Sequence, residues 1–464
     1  MAELIRKSAC EIVALLKTGE ISIDDTLDAL EAQIKKVDPE INSLPTLCFE
    51  RARAAARQGD RIDSVLSGIP VAIKDLTDVA GVRTTYGSML HANHVPAQSD
   101  ILVERIEANG GIIYAKSNTP EFGTGGNTFN DVFGATRNPH DVTRSAGGSS
   151  GGAAAALASG SAWLAQGSDL GGSLRTPAAF CGVTSLRPSP GLITTSPGTQ
   201  PFDVYSQKGP MARSVADLAL FADAMAGPSS LAGLSRSHLI DEFGNAAARP
   251  VKPLKVAFSE DLGITQTSAE VAAICNAAIA RLEREQVNIE INHPDLNMMD
   301  AAFEVPRALG YAQSYGADLA NTREIMKPEV VWNTEKGLNL GADEIRQSLD
   351  AQGQVFANAS RFMQDYDLLI CPATIMPAYP VEERYPGYSD GLEYSEYYRW
   401  LAICCAITTT TLPVITLPCG KTDSGLPIGL QLIGKAHGEL ELFALASYLE
   451  QVFGWNPLQA IICS

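Results

Sequence analysis

The stretch GSDLGGSLRTP, Gly167 to Pro177, presents Ser173 directly behind two glycines and ahead of residues that can open a helix. A serine placed in this way reads as a nucleophile. None of the six histidines (His91, His94, His140, His238, His293, His437) lies within 30 residues of it, so the base that takes its proton must be sought elsewhere. A lysine can be that base when burial or nearby positive charge keeps it neutral, and its long stem can reach a second hydroxyl that bridges to the nucleophile. Lys74 closes the apolar run GIPVAIKD and Ser149 lies in AGGSSGG, so Lys74, Ser149 and Ser173 make a candidate Ser-Ser-Lys relay that needs no histidine.

Two other readings compete for the glycine-rich stretch from Gly123 to Gly152. A phosphate-binding loop ends in Gly-Lys-Ser/Thr, and no lysine lies between Lys116 and Lys208, which excludes it. A nucleophile elbow fits Gly147, Ser149 and Gly151 as Gly-x-Ser-x-Gly, with His238, His293 or His437 as the downstream base of a Ser-His esterase. The elbow requires an apolar strand immediately before its serine, whereas NPHDVTRSA reads as loop. Under that reading Ser149 would carry the acyl group and one histidine would be indispensable.

The elements that must position these residues alternate between strand and helix. GIPVAIKD (68–75), GIIYAK (111–116), SAWLAQGS (161–168), GVTSLRPS (182–189), LKVAFSE (254–260), VNIEIN (287–292), YDLLICPAT (366–374), LPVITLPCG (412–420) and PIGLQLIG (427–434) read as buried strands. Helices are expected at 101–109, in GGAAAALASG, over 214–227 with a closing glycine, over AEVAAICNAAIARLEREQ and over ELELFALASYLEQVF. The first 60 residues carry helical spacing, as at Leu27, Leu30 and Ile34. The alternation gives an α/β layer fold with a largely covered central sheet, in a single large domain or two intimate ones. Within 1–464 the expected divisions are an N-terminal helical apron (1–65), a catalytic core (66–230) and a variable helical region (296–365) that shapes the substrate site.

Composition sets limits on partners. The 464 residues carry 53 acids against 35 bases, a formal charge of -18 that disfavours nucleic acid and anionic lipid surfaces. No apolar run is long enough for a membrane span, and the charge-interrupted start MAELIRKSACEIVALLKTGE reads as an amphipathic helix rather than a signal peptide. Nine cysteines, Cys463 the last, are scattered without Cys-x-x-Cys spacing, which points to buried reduced thiols, a cytoplasmic setting and neither metal nor disulfide framework. Nothing in the sequence sets an oligomeric state.

The stretch AGGSSGGAAAALASGSAWLAQGSDLGGSLRTPAAFCGV resembles the signature of the amidase signature family, and the resemblance extends to GIPVAIKD, KSNTPEFG, GPMARSVADLAL and LPVITLPCG with GLPIGLQLIG. Lys74 and Ser149 are 75 residues apart and Ser149 and Ser173 are 24 apart, spacings similar to the family's. The resemblance implies that Ser173 is the nucleophile, that Ser149 bridges and follows a cis peptide bond from Gly148, and that Lys74 is the base. It implies an α/β fold of a single large domain with a central mixed twisted β-sheet covered by helices on both faces, and an oxyanion hole from the backbone N–H groups of Leu170, Gly171, Gly172 and Ser173. Ser150, Asp169 and Arg175 are expected as supports, and Gly125, Gly126 and Asn127 as lining of the substrate channel. The implied activity is hydrolysis of the C–N bond of small-molecule amides, with carbamates (urethanes) or aryl acylamides as narrower classes, and with no cofactor. A glutaminase-type subunit of an amidotransferase complex is the alternative that uses the same triad; a silent binding protein on this fold is disfavoured by the intact triad. Arg187, Pro190 and the segment CCAITTTTLP depart from the commoner family pattern and are expected to bear on the pocket wall.

Overall fold

The computed structural model describes residues 2–456, apart from 59, 60, 199, 390 and 395; Cys463 lies outside the described residues. Eleven strands form one sheet. In chain order β1 is Thr46–Leu47, β2 Pro70–Lys74, β3 Ile112–Ser117, β4 Leu164–Asp169, β5 Thr184–Arg187, β6 Gln207–Ala212, β7 Lys255–Phe258, β8 Asn288–Ile291, β9 Leu368–Pro372, β10 Val414–Lys421 and β11 Pro427–Ile433. Their spatial order is β1-β3-β2-β4-β6-β5-β10-β11-β9-β7-β8. The sheet is mixed: β3, β2 and β4 run parallel, as do β9, β7 and β8, while the pairs between these groups are antiparallel. Every residue of β2, β3, β4, β9 and β11 is buried, which requires cover on both faces of the sheet.

Two strands lie where the sequence pattern suggests something else. Thr46–Leu47, inside the segment read as a helical apron, pairs antiparallel with β3 at the sheet edge. Gln207–Ala212, just ahead of the helix expected over 214–227 and without an expected strand of its own, is a strand between β4 and β5. Its sequence QKGPMA holds glycine and proline, residues that argue against a central strand, and the sheet pairing outweighs them. The helix that follows ends at Met225, with Ala226 as its cap rather than the glycine.

The rest of the architecture follows from side-chain size and spacing. Helix Ile23–Ile41 buries Leu27, Leu30 and Ile34 on one face and opens with a capping box between Ser22 and Asp25. Helix Gly151–Ala158 is buried at every position, because GGAAAALA has no bulk to keep it from neighbouring backbone. A Cβ on Gly152 would stand 2.3 Å from the Asn118 nitrogen and 2.7 Å from the Ser43 oxygen. This close seating fixes the start of the helix, and therefore Ser149 and Ser150, against the sheet. Among the described residues no helix is long and apolar enough to cross a membrane.

Candidate active site

β2 and β4 are parallel neighbours, with Ile73 opposite Gln166, so Lys74 finishes its strand beside Ser168. Lys74 Nζ lies 2.7 Å from Ser149 Oγ, 2.8 Å from Ser150 Oγ and 3.0 Å from Ser168 Oγ. The side chain is completely buried and, among the described residues, has no carboxylate within ion-pair distance. A buried ammonium without a counter-charge is costly, whereas a neutral amine can donate twice and accept once, which matches three hydroxyl partners. Burial, reinforced by the positive charge of Lys208, accordingly pushes the Lys74 pKa well below the ordinary lysine range, with Asp169 acting in the opposite sense. Lys116 on the adjacent strand makes the contrast: it is equally buried but pairs with Asp75 at 3.1 Å.

Ser149 follows the cis peptide Gly148-Ser149 and is nearly fully buried. Ahead of it lies a two-stranded hairpin, Arg137–Asn138 with Asp141–Ser145, rather than loop, but this hairpin stands outside the main sheet. Ser149 and Ser173 line the same cavity, which has a volume of about 760 Å³. Ser173 is half-buried and lies on the turn between β4 and helix Arg175–Cys181, its carbonyl accepting from the Ser150 N–H at 3.1 Å. Among the described residues Ser173 Oγ has no hydrogen-bond partner, so the geometry joins Lys74 to Ser149 directly and Ser149 to Ser173 only through the shared cavity wall.

Asp169 organises the turn. Its Oδ1 accepts from the Gly172 N–H at 2.9 Å and its Oδ2 from the Leu174 N–H at 3.0 Å. Gly172 is thereby removed from the expected set of oxyanion donors, because its N–H already has an acceptor; Leu170, Gly171 and Ser173 remain. Arg175 grips the carboxylate through Nε at 3.0 Å and Nη2 at 2.9 Å, and Arg187 Nη1 reaches Oδ1 at 3.2 Å. Burial alone would raise the Asp169 pKa, but the two guanidinium groups outweigh it and hold the carboxyl well below the usual range. Arg175 also donates to the Cys404 carbonyl, Gln431 and Thr408, tying the turn to the helix Ala402–Thr410 and to β11.

The two glycines answer to packing as well as to an oxyanion. Gly172 has φ +115°, and a Cβ there would lie 2.7 Å from the Cys404 Cβ; one on Gly171 would lie 3.0 Å from the Phe303 ring and 3.3 Å from Cys405 Sγ. Gly172→Ala is expected to lose about 2–4 kcal/mol of stability, from backbone strain and overpacking together, measurable by urea unfolding.

Other sequence expectations are redistributed. Ser150 donates to the Ser168 carbonyl at 3.2 Å, and it touches Lys74 as well. Gly125 lines the cavity, but Gly126 does not: a Cβ there would strike Trp400 at 2.4 Å. Asn127 is fully buried as a staple, donating to the carbonyls of Val381 and Glu383 and accepting from Ser145. Arg187 and Pro190 are absent from the cavity wall, because Arg187 points inward to Asp169; of CCAITTTTLP, Cys405 reaches the wall. The residues missed in the sequence are Ser168, Lys208 and the aromatic groups of the 296–365 region, Phe303, Tyr311 and Tyr315, which line the cavity. His238 bonds Asp223 at 2.8 Å, His293 bonds the Pro294 carbonyl, and no histidine lines the cavity, so the elbow arrangement lacks a base near Ser149.

Known proteins share this arrangement of chain. Residues 25–443 match the Amidase family. An acylamidase of Rhodococcus erythropolis is 32% identical over 456 residues, covering 97% of this chain and 96% of its own. A glutamyl-tRNA(Gln) amidotransferase subunit of Moorella thermoacetica is 32% identical over 485 residues, with 97% of each chain covered. The crystal structure of a bacterial aryl acylamidase of the amidase signature enzymes superposes with a TM-score of 0.90 at 24% identity, covering 98% of this chain and 99% of that one. The last likeness bears on the fold alone.

Proposed function

The chain belongs to the amidase family and is an amide-hydrolysing enzyme, and we propose that it hydrolyses small-molecule amides by acyl transfer through Lys74, Ser149 and Ser173. The observation that carries this reading is the buried Lys74 amine, without an acid partner among the described residues and 2.7 Å from Ser149 Oγ at the cavity that Ser173 also lines. In the first half-reaction Ser173 Oγ attacks the carbonyl carbon and gives its proton to Ser149 Oγ, while the Ser149 proton passes to neutral Lys74 Nζ. The resulting oxyanion rests on the N–H groups of Leu170, Gly171 and Ser173, assisted by the positive end of the helix that follows. Collapse breaks the C–N bond, and the relay runs backwards to protonate the leaving nitrogen. Water then repeats the sequence on the acyl-serine, regenerating Ser173 and releasing the acid.

A cavity of about 760 Å³ suits a drug-sized molecule rather than a polymer. Its aromatic and aliphatic wall, including Phe122, Phe303 and Tyr398, favours aryl or alkyl amides. Carbamates fit the same chemistry, since their nitrogen also needs a proton to leave. A fluorophosphonate probe is expected to modify Ser173 and no other serine, as read by peptide mass spectrometry, and each of the six histidine-to-alanine variants is expected to keep activity within about threefold. Label on Ser149, or loss of activity with one histidine, would instead support the elbow. The equal identity to an amidotransferase component carries a second reading, a glutaminase working in a complex. The purified chain alone hydrolysing an acylanilide, with no glutamine turnover, decides for the free-standing amidase.

A further inference from the structure

Arg307 lines the cavity and has no part in the acyl-transfer steps. It lies on the helix Met299–Tyr315, four residues beyond Phe303, whose ring packs against Gly171. The guanidinium carbon lies 6.0 Å from the centre of the Phe303 ring, so that ring stands against both the cation and Gly171 of the oxyanion segment. Only 8% of Arg307 is exposed. Its Nη1 donates to Asn333 Oδ1 at 2.7 Å and its Nη2 to the Tyr397 hydroxyl, both neutral acceptors. The rings of Tyr398, Tyr397 and Tyr311 surround it at 4.7, 5.2 and 5.4 Å.

What this cation lacks is an acid. No carboxylate lies within ion-pair distance of it among the described residues. Glu304, one turn before it, is committed to Arg399, Lys336 and Tyr398, and Glu329 to Arg384. Arg175, fully buried at the start of the helix after the turn, has Asp169. A guanidinium offers five N–H donors in a planar fork suited to a carboxylate, and among the described residues two of those on Arg307 are taken. Cation–π contacts offset part of the cost of burying the charge, and an anion in the cavity would neutralise the rest.

We propose that Arg307 binds a carboxylate of the substrate, so that the amides this enzyme turns over best are anionic, with the carboxylate held in the cavity beside the Phe303 ring. The proposal rests on the acyl-transfer reading of Ser173. The carboxylate could belong to the acyl part or to the leaving amine, and two substrate pairs separate these. On the acyl side, N-(4-nitrophenyl)succinamic acid is compared with N-(4-nitrophenyl)pentanamide; on the amine side, 4-acetamidobenzoate is compared with 4-acetamidoacetophenone.

The quantity read is kcat/KM for the anionic member of each pair relative to its neutral partner. The wild type is expected to favour one anionic member by about tenfold or more, and Arg307→Gln to abolish that preference, with the neutral partner changed by less than about threefold. Arg307→Lys, which keeps the charge and loses the fork, is expected to fall between. An equal ratio in wild type and Arg307→Gln would overturn the proposal. So would a collapse of the neutral substrates in both variants together with a lowered Tm, which would make Arg307 a packing cation. Fluorophosphonate labelling of wild-type Ser173 separates the two levels: with labelling intact, a missing preference overturns only the carboxylate site, whereas absent labelling overturns the acyl-transfer reading and this proposal with it.

Discussion

Lys74→Met is expected to lower kcat by about four orders of magnitude or more, in line with the loss of a single member of a catalytic unit that acts as one. Methionine keeps most of the lysine stem, so the packing at the end of β2 survives, and Ser150 Oγ keeps its bond to the Ser168 carbonyl. Lys74→Arg is expected to be equally inactive although it keeps a long basic side chain at the site, because a guanidinium does not deprotonate and cannot serve as a base. That second variant separates a base from a merely structural cation.

The same reading gives the direction of the pH profile. Neutral Lys74 is the active form, so kcat/KM rises as the pH climbs through its pKa and falls away below it. Burial first, then Lys208, moves that midpoint down from the ordinary lysine value of about 10.4. Lys208→Met, which removes the neighbouring positive charge, is expected to shift the limb back to higher pH. A limb that stays in place would show that Lys208 does not act on the base.

The parts of this site that can be read from the sequence are those whose side chains contradict their surroundings. A lysine that finishes an otherwise apolar buried strand, or a serine behind paired glycines, has no packing reason to be there, and Lys74 and Ser173 are visible on that ground. Arg187 carries the same signal at the end of TSLR, a buried strand closed by a base, yet it reads as pocket wall, because sequence does not say which way a strand end turns. Ser168 is within reach of alternation, since it shares a strand face with Gln166, which accepts the Lys74 N–H at 3.1 Å. Arg307 is not: it lies in helices whose amphipathic spacing is ordinary, and its isolation from acids depends on how those helices pack in three dimensions. The strand Gln207–Ala212 escapes a sequence reading because local propensity opposes it and only pairing on both edges sustains it.

Asp169→Asn is expected to destabilise the fold by about 3–5 kcal/mol and to depress kcat more than KM, although it changes no more than one atom of the side chain. The buried carboxylate serves two cations and two backbone donors at once: Arg175 and Arg187 on one side, the N–H groups of Gly172 and Leu174 on the other. An asparagine offers a single acceptor oxygen, turns N–H donors toward a donor, and leaves two buried guanidinium groups without an acid. The turn that holds Leu170, Gly171 and Ser173 then loses its anchor, so that oxyanion donors are misplaced while the cavity that binds substrate is largely kept. Acid should produce the same failure in the wild type. Because the folded-state pKa of Asp169 is depressed, its contribution is present above the unfolded value of about 3.9 and is lost as pH falls through the folded one. Removing one of the stranded cations should relieve the variant, so Asp169→Asn combined with Arg187→Met is expected to be destabilised by clearly less than the sum of the two single changes in urea unfolding. Strict additivity would mean that Asp169 and Arg187 act independently, and the clamp on the candidate oxyanion turn would then rest on Arg175 alone.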